Sequence, residues 1–220
     1  MLQKQADRVT LRTGETVGLA IVRAPEVSWA ERIETMLLHK GDPWNWQNSE
    51  LLRRPTGAGT TFFVLHRDGV PFANIMLMMS GAAGLLGHVW TAAQERRSGA
   101  NSVLMDCLLH DFRWRGGRAL FLGTEFDSVP WHYYRRRGFE PVEPGSGYME
   151  MYAETRAVFE DVWFGEIAEV VVEPLDWPHL VASVPLFLGA FAGVVRIAAT
   201  RLFGRRVSDE PLLPFIREQS

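Results

Sequence analysis

Cysteine is nearly absent from this chain. Cys107 is the only one in 220 residues, which excludes a disulfide framework and a cysteine-built metal centre. Lysine is almost as scarce: apart from Lys4 and Lys40 the basic side chains are all arginine. We read that as a compositional habit rather than as chemistry. A strong excess of one charge is also lacking, and a net charge of −3 gives a nucleic-acid partner no electrostatic support. The opening MLQKQADRVTLRTGE is polar and has no apolar signal core, so a cytoplasmic location is expected. Residues 180–195 lack charge, but this run is shorter than the ~20 residues of a membrane span, contains Pro185 and ends at Arg196. The histidines show no metal-ligand spacing with carboxylates, so no metal is expected. Internal repeats and low-complexity segments are missing too.

What is present suits a globular protein. Hydrophobic residues make up 47% and charged residues 22%, enough for a real core. The length fits one domain of about 150 residues with an extension. VGLAIVRAP (17–25) predicts a strand stopped by Pro25. Ser28, with Glu31 three residues on, predicts a capping box opening a helix over WAERIETMLLHK. Residues 39–60 predict a loop holding a short helix over NSELLRR. TTFFVLHRDGVPFANIMLMMS (60–80) predicts a hairpin turning at Asp68-Gly69. LLGHVWTA (85–92) predicts a strand. A helix over 101–115 carries Leu104, Leu108 and Phe112 on one stripe. RALFLGTE (118–125) reads as a buried parallel strand, VPWHYYRRRG (129–138) as a short helix, and 139–154 as two final strands. The helical crossover between strands 85–92 and 118–125 requires those two to run parallel. The fold class is therefore α+β, with a mixed sheet.

Two local motifs sit on this frame. Arg96-Arg97-Ser98-Gly99-Ala100-Asn101 lies between a strand and a helix, where unpaired helix N–H groups attract phosphate. Gly99 would let the backbone approach a ligand without an intervening Cβ. Asn101 stands where a second glycine is expected; its amide can donate to a phosphate, or it can cap the helix. The second motif is Tyr133-Tyr134-Arg135-Arg136-Arg137-Gly138-Phe139. In order and separation these two stretches resemble the Q/R-x-x-G-x-G/A and L-Y-x-x-x-G-F motifs of the GNAT acyltransferase superfamily, over about residues 17–154.

That resemblance implies a GNAT-like domain over 1–154, with acetyl-CoA as cosubstrate. It implies that Arg96, Arg97, Ser98, Gly99, Ala100, Asn101 and Ser102 hold the pyrophosphate of coenzyme A. It also implies that Tyr134 protonates the departing thiolate, and that Asp127 stands where the family often has Asn at a cofactor contact. The acceptor pocket would fall partly at 39–47, where Trp44 and Trp46 form an aromatic wall and Asp42 holds a cationic amine. Acetyl-CoA and amine would meet where strands 85–92 and 118–125 splay. For the base, His88 is the titratable residue of LLGHVWTA, on one face with Trp90; Glu125 is the second candidate. His110 and His132 are expected to face solvent, as are Arg135, Arg136 and Arg137.

The expected activity is N-acetyl transfer to a small-molecule or protein amine. Two alternatives stand: acyl transfer or decarboxylation on an acyl-carrier protein, or an acyl-CoA-binding module without catalysis. Residues 155–220 form an extension: a helix over TRAVFEDVWFGE, a strand over IAEVVVE, a long apolar helical stretch after Asp176, and an extended tail PLLPFIREQS. It would pack on the domain or on a second copy as a homodimer. The alternative is an interfacial membrane helix over 180–206, with Arg196, Arg201, Arg205 and Arg206 at lipid headgroups.

Overall fold

The computed structural model describes residues 7–165, 169–189, 196–197, 202–203, 205 and 209–219. The elements in order are β1 (Arg8–Thr10), β2 (Thr16–Arg23), α1 (Val27–Leu37), α2 (Trp44–Arg53), β3 (Thr61–Arg67), β4 (Val70–Ser80), β5 (Ala83–Thr91), α3 (Ala100–Trp114), β6 (Ala119–Gly123), α4 (Val129–Arg136), β7 (Glu140–Pro141), β8 (Tyr148–Tyr152), α5 (Arg156–Trp163), α6 (Trp177–Ala182), α7 (Val184–Leu188), β9 (Arg196–Ile197), β10 (Leu202–Phe203) and α8 (Asp209–Gln219). Short 3₁₀ turns cover Leu38–Lys40 and Ala93–Glu95. Eight strands form one sheet in the order β1-β2-β3-β4-β5-β6-β8-β7. β5 and β6 are parallel, with Ala83, Gly84 and Leu85 opposite Ala119, Leu120 and Phe121. The α+β class and the helical crossover through α3 are as the sequence implies.

By contact density the chain divides into two units, 1–77 with 87–114 and 78–86 with 115–220. The first unit holds the antiparallel ladder β1–β2–β3–β4. Its hairpin turns at Asp68 (φ +49°) and Gly69 (φ +84°), the backbone pair that a two-residue turn between twisted strands demands. β3 is buried on both faces from Thr61 to Leu65, with helix α3 lying against it. Leu104, Leu108 and Phe112 are buried as their spacing predicts; each such side chain contributes roughly 1.5–3 kcal/mol. Arg23 on β2 meets the buried Asp111 of α3 at 3.0 Å.

In the second unit β6 pairs with β8, and β8 with β7. Tyr152 on β8 packs against Phe159 of α5, and Phe159 stacks on Trp163. The buried Glu150 carboxylate accepts from Tyr152 at 2.9 Å and from Arg156 at 3.0 Å. Arg156 also donates to Glu160 and to the Leu188 carbonyl, so one guanidinium joins β8, α5 and α7.

Several boundaries differ from expectation. β1 is an additional strand, and the strand placed at 17–25 ends at Arg23. Ser28 does not cap α1. Glu26 does, accepting from the Ser28 amide and hydroxyl, because the helix starts one residue before Ser28. α2 begins at Trp44, so both tryptophans lie on a helix rather than in a loop. Residues 169–173 of IAEVVVE form no strand, and Val170, Val171 and Val172 are exposed. The stretch after Asp176 forms two short helices, α6 and α7, followed by the β9–β10 pair; the rest of its expected length lies outside the described residues. Residues 211–219 of PLLPFIREQS are helical, not extended: Leu212, Leu213 and Ile216 bury one face of α8.

Candidate functional site

The loop before α3 is built by Ser98. Its hydroxyl donates to the Glu95 carbonyl at 2.7 Å and accepts from the Ala100 amide at 3.3 Å. α3 therefore starts at Ala100, and Asn101 lies inside its first turn rather than capping it. No positive φ is required there, so a side chain in place of glycine is sterically admitted. Arg97 (φ +66°) and Gly99 (φ +93°) are both left-handed, and alternation of this kind turns successive amides into an anion-binding concavity. Among the described residues the Arg97 and Gly99 amides meet no acceptor. The loop's carbonyls face the other way. The Arg12 amide donates to the Ser98 carbonyl at 2.9 Å, and the Arg12 guanidinium donates to the Arg97 carbonyl. The side chains of Arg96 and Arg97 are exposed, while Ser98 and Ala100 are buried.

Gly99 also answers to packing within the protein. A Cβ there would stand 3.0 Å from the Arg12 Cβ and 3.3 Å from its amide nitrogen. The turn between β1 and β2 therefore fills the side toward which a Cβ at residue 99 would project. Arg12, more than eighty residues away in sequence, carries no local signal of this role.

His88 interrupts β5. Its φ of +48° is uncommon for a non-glycine residue in a strand, and it breaks the simple alternation that put His88 and Trp90 on one face. The Asn74 amide donates to the His88 carbonyl at 2.9 Å and holds the departure in place. The His88 ring is buried, and its Nε2 lies 2.9 Å from Gln47 Oε1 on α2. That pairing makes Nε2 the protonated nitrogen. Burial, reinforced by the Lys40 charge, lowers the His88 pKa to about 3. At neutral pH this ring is a neutral hydrogen-bonding group and a weak base, which counts against the role of general base expected of it.

Near it, the His39 ring packs 5.8 Å from that of Trp90, which sets the Leu38–Lys40 turn against β5. Lys40 is half-buried and burial lowers its pKa. Trp44 and Trp46 are half-buried on α2, and Asp42 is exposed. Gln47, Asn74 and Lys40 were not singled out from sequence. Asn74 alone left a trace, as a lone amide within the apolar run VPFANIMLMMS.

The second unit carries the remaining candidates. Tyr134 on α4 is 5% exposed and lies edge-on to Phe139. Burial, with the neighbouring Tyr133 adding to it, pushes its pKa up, so the phenol keeps its proton through the physiological range. α4 is capped by the Ser128 hydroxyl, which accepts from the Trp131 amide, with Pro130 in the first turn. Asp127 (φ +59°) faces His132, with Oδ1 2.9 Å from Nε2. Glu125 is exposed, and its backbone carbonyl accepts from Ser128. His110 and His132 are exposed, as are Arg135 and Arg136, while Arg137 is half-buried.

No protein-family model matches the chain, and no curated protein matches it significantly. Solved structures do. The GNAT domain of S. lividans PAT covers 66% of this chain and 95% of its own at 14% identity and a TM-score of 0.51. An acetyltransferase of the GNAT family from Staphylococcus aureus Mu50 covers 62% and 100% at 13% identity, also at 0.51. The PaiA N-acetyltransferase of Thermoplasma acidophilum, solved in complex with coenzyme A, covers 61% and 99% at 14% identity and a TM-score of 0.49. With β5 and β6 parallel across the α3 crossover and the two left-handed residues ahead of α3, the similarity to the first two structures identifies the fold of this chain as that of the GNAT acyltransferases.

Proposed function

We propose that the chain is an acyl-CoA-dependent N-acyltransferase that moves an acetyl group from acetyl-CoA to a primary amine. The loop 96–101 supports this reading most directly. It presents two amides without acceptors, the N-terminal end of α3 and two exposed guanidinium groups to the same anion. The pyrophosphate of coenzyme A is such an anion. Ala100, Asn101 and Ser102 supply the first turn of α3 to it.

The reaction is direct. The amine lone pair attacks the thioester carbonyl carbon, forming C–N as the C–S bond breaks. Tyr134 donates its phenolic proton to the leaving sulfur, and the proton shed by the attacking nitrogen passes to solvent and restores the phenol. Burial keeps the phenol protonated at neutral pH and, by raising its pKa, makes it a weaker acid than a free tyrosine. Glu125 remains the proposed second candidate for the base, Asp127 a proposed cofactor contact, and Asp42, Trp44 and Trp46 lie near the proposed acceptor.

His88 favours a second reading, an acyl-CoA-binding domain without turnover, because the histidine offered as base is held neutral by burial. Calorimetric titration with acetyl-CoA tests both. The wild type is expected to bind with a Kd on the order of micromolar, and Arg96→Ala/Arg97→Ala to bind far more weakly. Binding with no thiol release over a broad amine panel would leave the second reading. No binding by the folded wild type would overturn both.

A further inference from the structure

We propose that Lys40 binds an acidic group on the acceptor, so that the substrate is a small primary amine that also carries a carboxylate or phosphate. This rests on the acyltransferase reading above and gives its acceptor a chemical class.

Lys40 closes the 3₁₀ turn Leu38–Lys40, which is well fixed. The Leu38 carbonyl accepts from the Asn45 side-chain amide at 2.9 Å and from the Gly41 amide at 3.4 Å. The adjacent His39 ring rests 5.8 Å from Trp90 on β5. The ammonium is thus held near the interrupted part of β5, close enough for its charge to act on the His88 ring. It is half-buried, and it forms no ion pair among the described residues. In the same unit Arg23, Arg53, Arg54 and Arg67 meet carboxylates, while Arg12 is taken up by the Arg97 carbonyl. A partly desolvated cation without a counter-charge is costly unless a ligand supplies one.

The surroundings say which ligand. His88 is neutral and bonded to Gln47, so it cannot serve as the counter-charge. The exposed Asp42 carboxylate lies two residues on but is not among the groups acting on Lys40. The Lys40 charge opposes an amine that brings only positive charge to it. An amine that also bears an anion would be held by its acidic end, with its amino group left for the thioester. The donor's phosphates have a separate cradle at 96–101, so the Lys40 charge is available to the acceptor.

The test measures thiol release from acetyl-CoA with three probe sets: free L-amino acids, the corresponding L-amino acid amides, and phosphoethanolamine beside ethanolamine. Lys40→Met keeps the apolar stem and removes the charge; Lys40→Arg restores the charge. The expected result is turnover of acid-bearing amines in preference to their neutral counterparts. Lys40→Met should raise their KM by about tenfold or more, with kcat changed far less and the acetyl-CoA Kd unchanged. Lys40→Arg should recover much of the loss. The first and third probe sets separate a carboxylate from a phosphate.

Preference for the uncharged amines, no turnover of either acid set, or an unchanged KM in Lys40→Met would overturn the inference while leaving acetyl-CoA binding intact. A loss of acetyl-CoA affinity in Lys40→Met would assign the lysine to the donor and overturn it too. Absence of acetyl-CoA binding in the wild type would remove the acyltransferase reading and this inference together.

Discussion

Acidification should destabilise this protein through His88 in a way that one substitution isolates. The ring is buried, bonded to Gln47 and within the field of Lys40, with a folded pKa of about 3 against an ordinary 6.5. In the unfolded chain it takes up a proton near pH 6.5; in the folded chain it does not. Between those values the unfolded state binds more protons, so stability is full above about pH 6.5 and falls as pH drops toward 3. Each pH unit within the window costs up to about 1.4 kcal/mol, and integrating from pH 7 to pH 5 gives a loss of about 2 kcal/mol. His88→Asn is the matched variant. Asparagine tolerates the left-handed backbone at this position better than most residues, and it does not titrate. It loses packing and the bond to Gln47, but that cost does not vary with pH. Urea unfolding of both proteins at pH 7, 6 and 5 gives the wild-type-minus-variant difference, in which every other titrating group cancels. The difference should shrink by about 2 kcal/mol across the range. A flat difference would mean that the folded ring protonates as freely as the unfolded one, and the burial argument for a neutral His88 would fail.

Three further outcomes follow from particular contacts. Gly99→Ala should cost more than Gly116→Ala. Both residues are left-handed, but a Cβ at 99 meets Arg12 at 3.0 Å while one at 116 meets nothing within 4 Å. Strain alone costs roughly 1–2 kcal/mol and the added overlap a further ~1 kcal/mol or more, so equal unfolding midpoints would refute the packing role of Gly99. Tyr134→Phe should lower thiol release by about tenfold to a hundredfold while leaving the acetyl-CoA Kd from calorimetry nearly unchanged; equal turnover would remove Tyr134 from the acid step. Arg156→Met leaves the buried Glu150 bonded to Tyr152, with Arg205 the remaining cation acting on it, and should destabilise by about 3 kcal/mol at neutral pH. A loss below ~1 kcal/mol, read by urea unfolding, would show that the carboxylate is relieved by water instead.

The sequence alone determined the elements whose signals are local. The hairpin 61–80 was legible because Asp68-Gly69 allows positive φ at both turn positions between two apolar runs. α3 was legible from its stripe of Leu104, Leu108 and Phe112, and α4 from Pro130 and the turn at Gly138. Their order gave the mixed sheet, and the Arg96–Asn101 loop stood out because a strand, a glycine and a helix start fall within a few residues. Other features depend on residues far apart in the chain. The extended reading of PLLPFIREQS followed its prolines, yet Pro211 falls in the first turn of α8, where proline is tolerated, and burial of Leu212, Leu213 and Ile216 offsets the cost of Pro214. Arg12 against Gly99, Asn74 on the His88 carbonyl and Gln47 on the His88 ring are long-range pairings that no periodicity encodes. The sequence placed a histidine in a strand, where an ordinary imidazole would titrate near neutrality. Only the tertiary structure decided that it stays neutral, because desolvation and the field of Lys40 arise from packing.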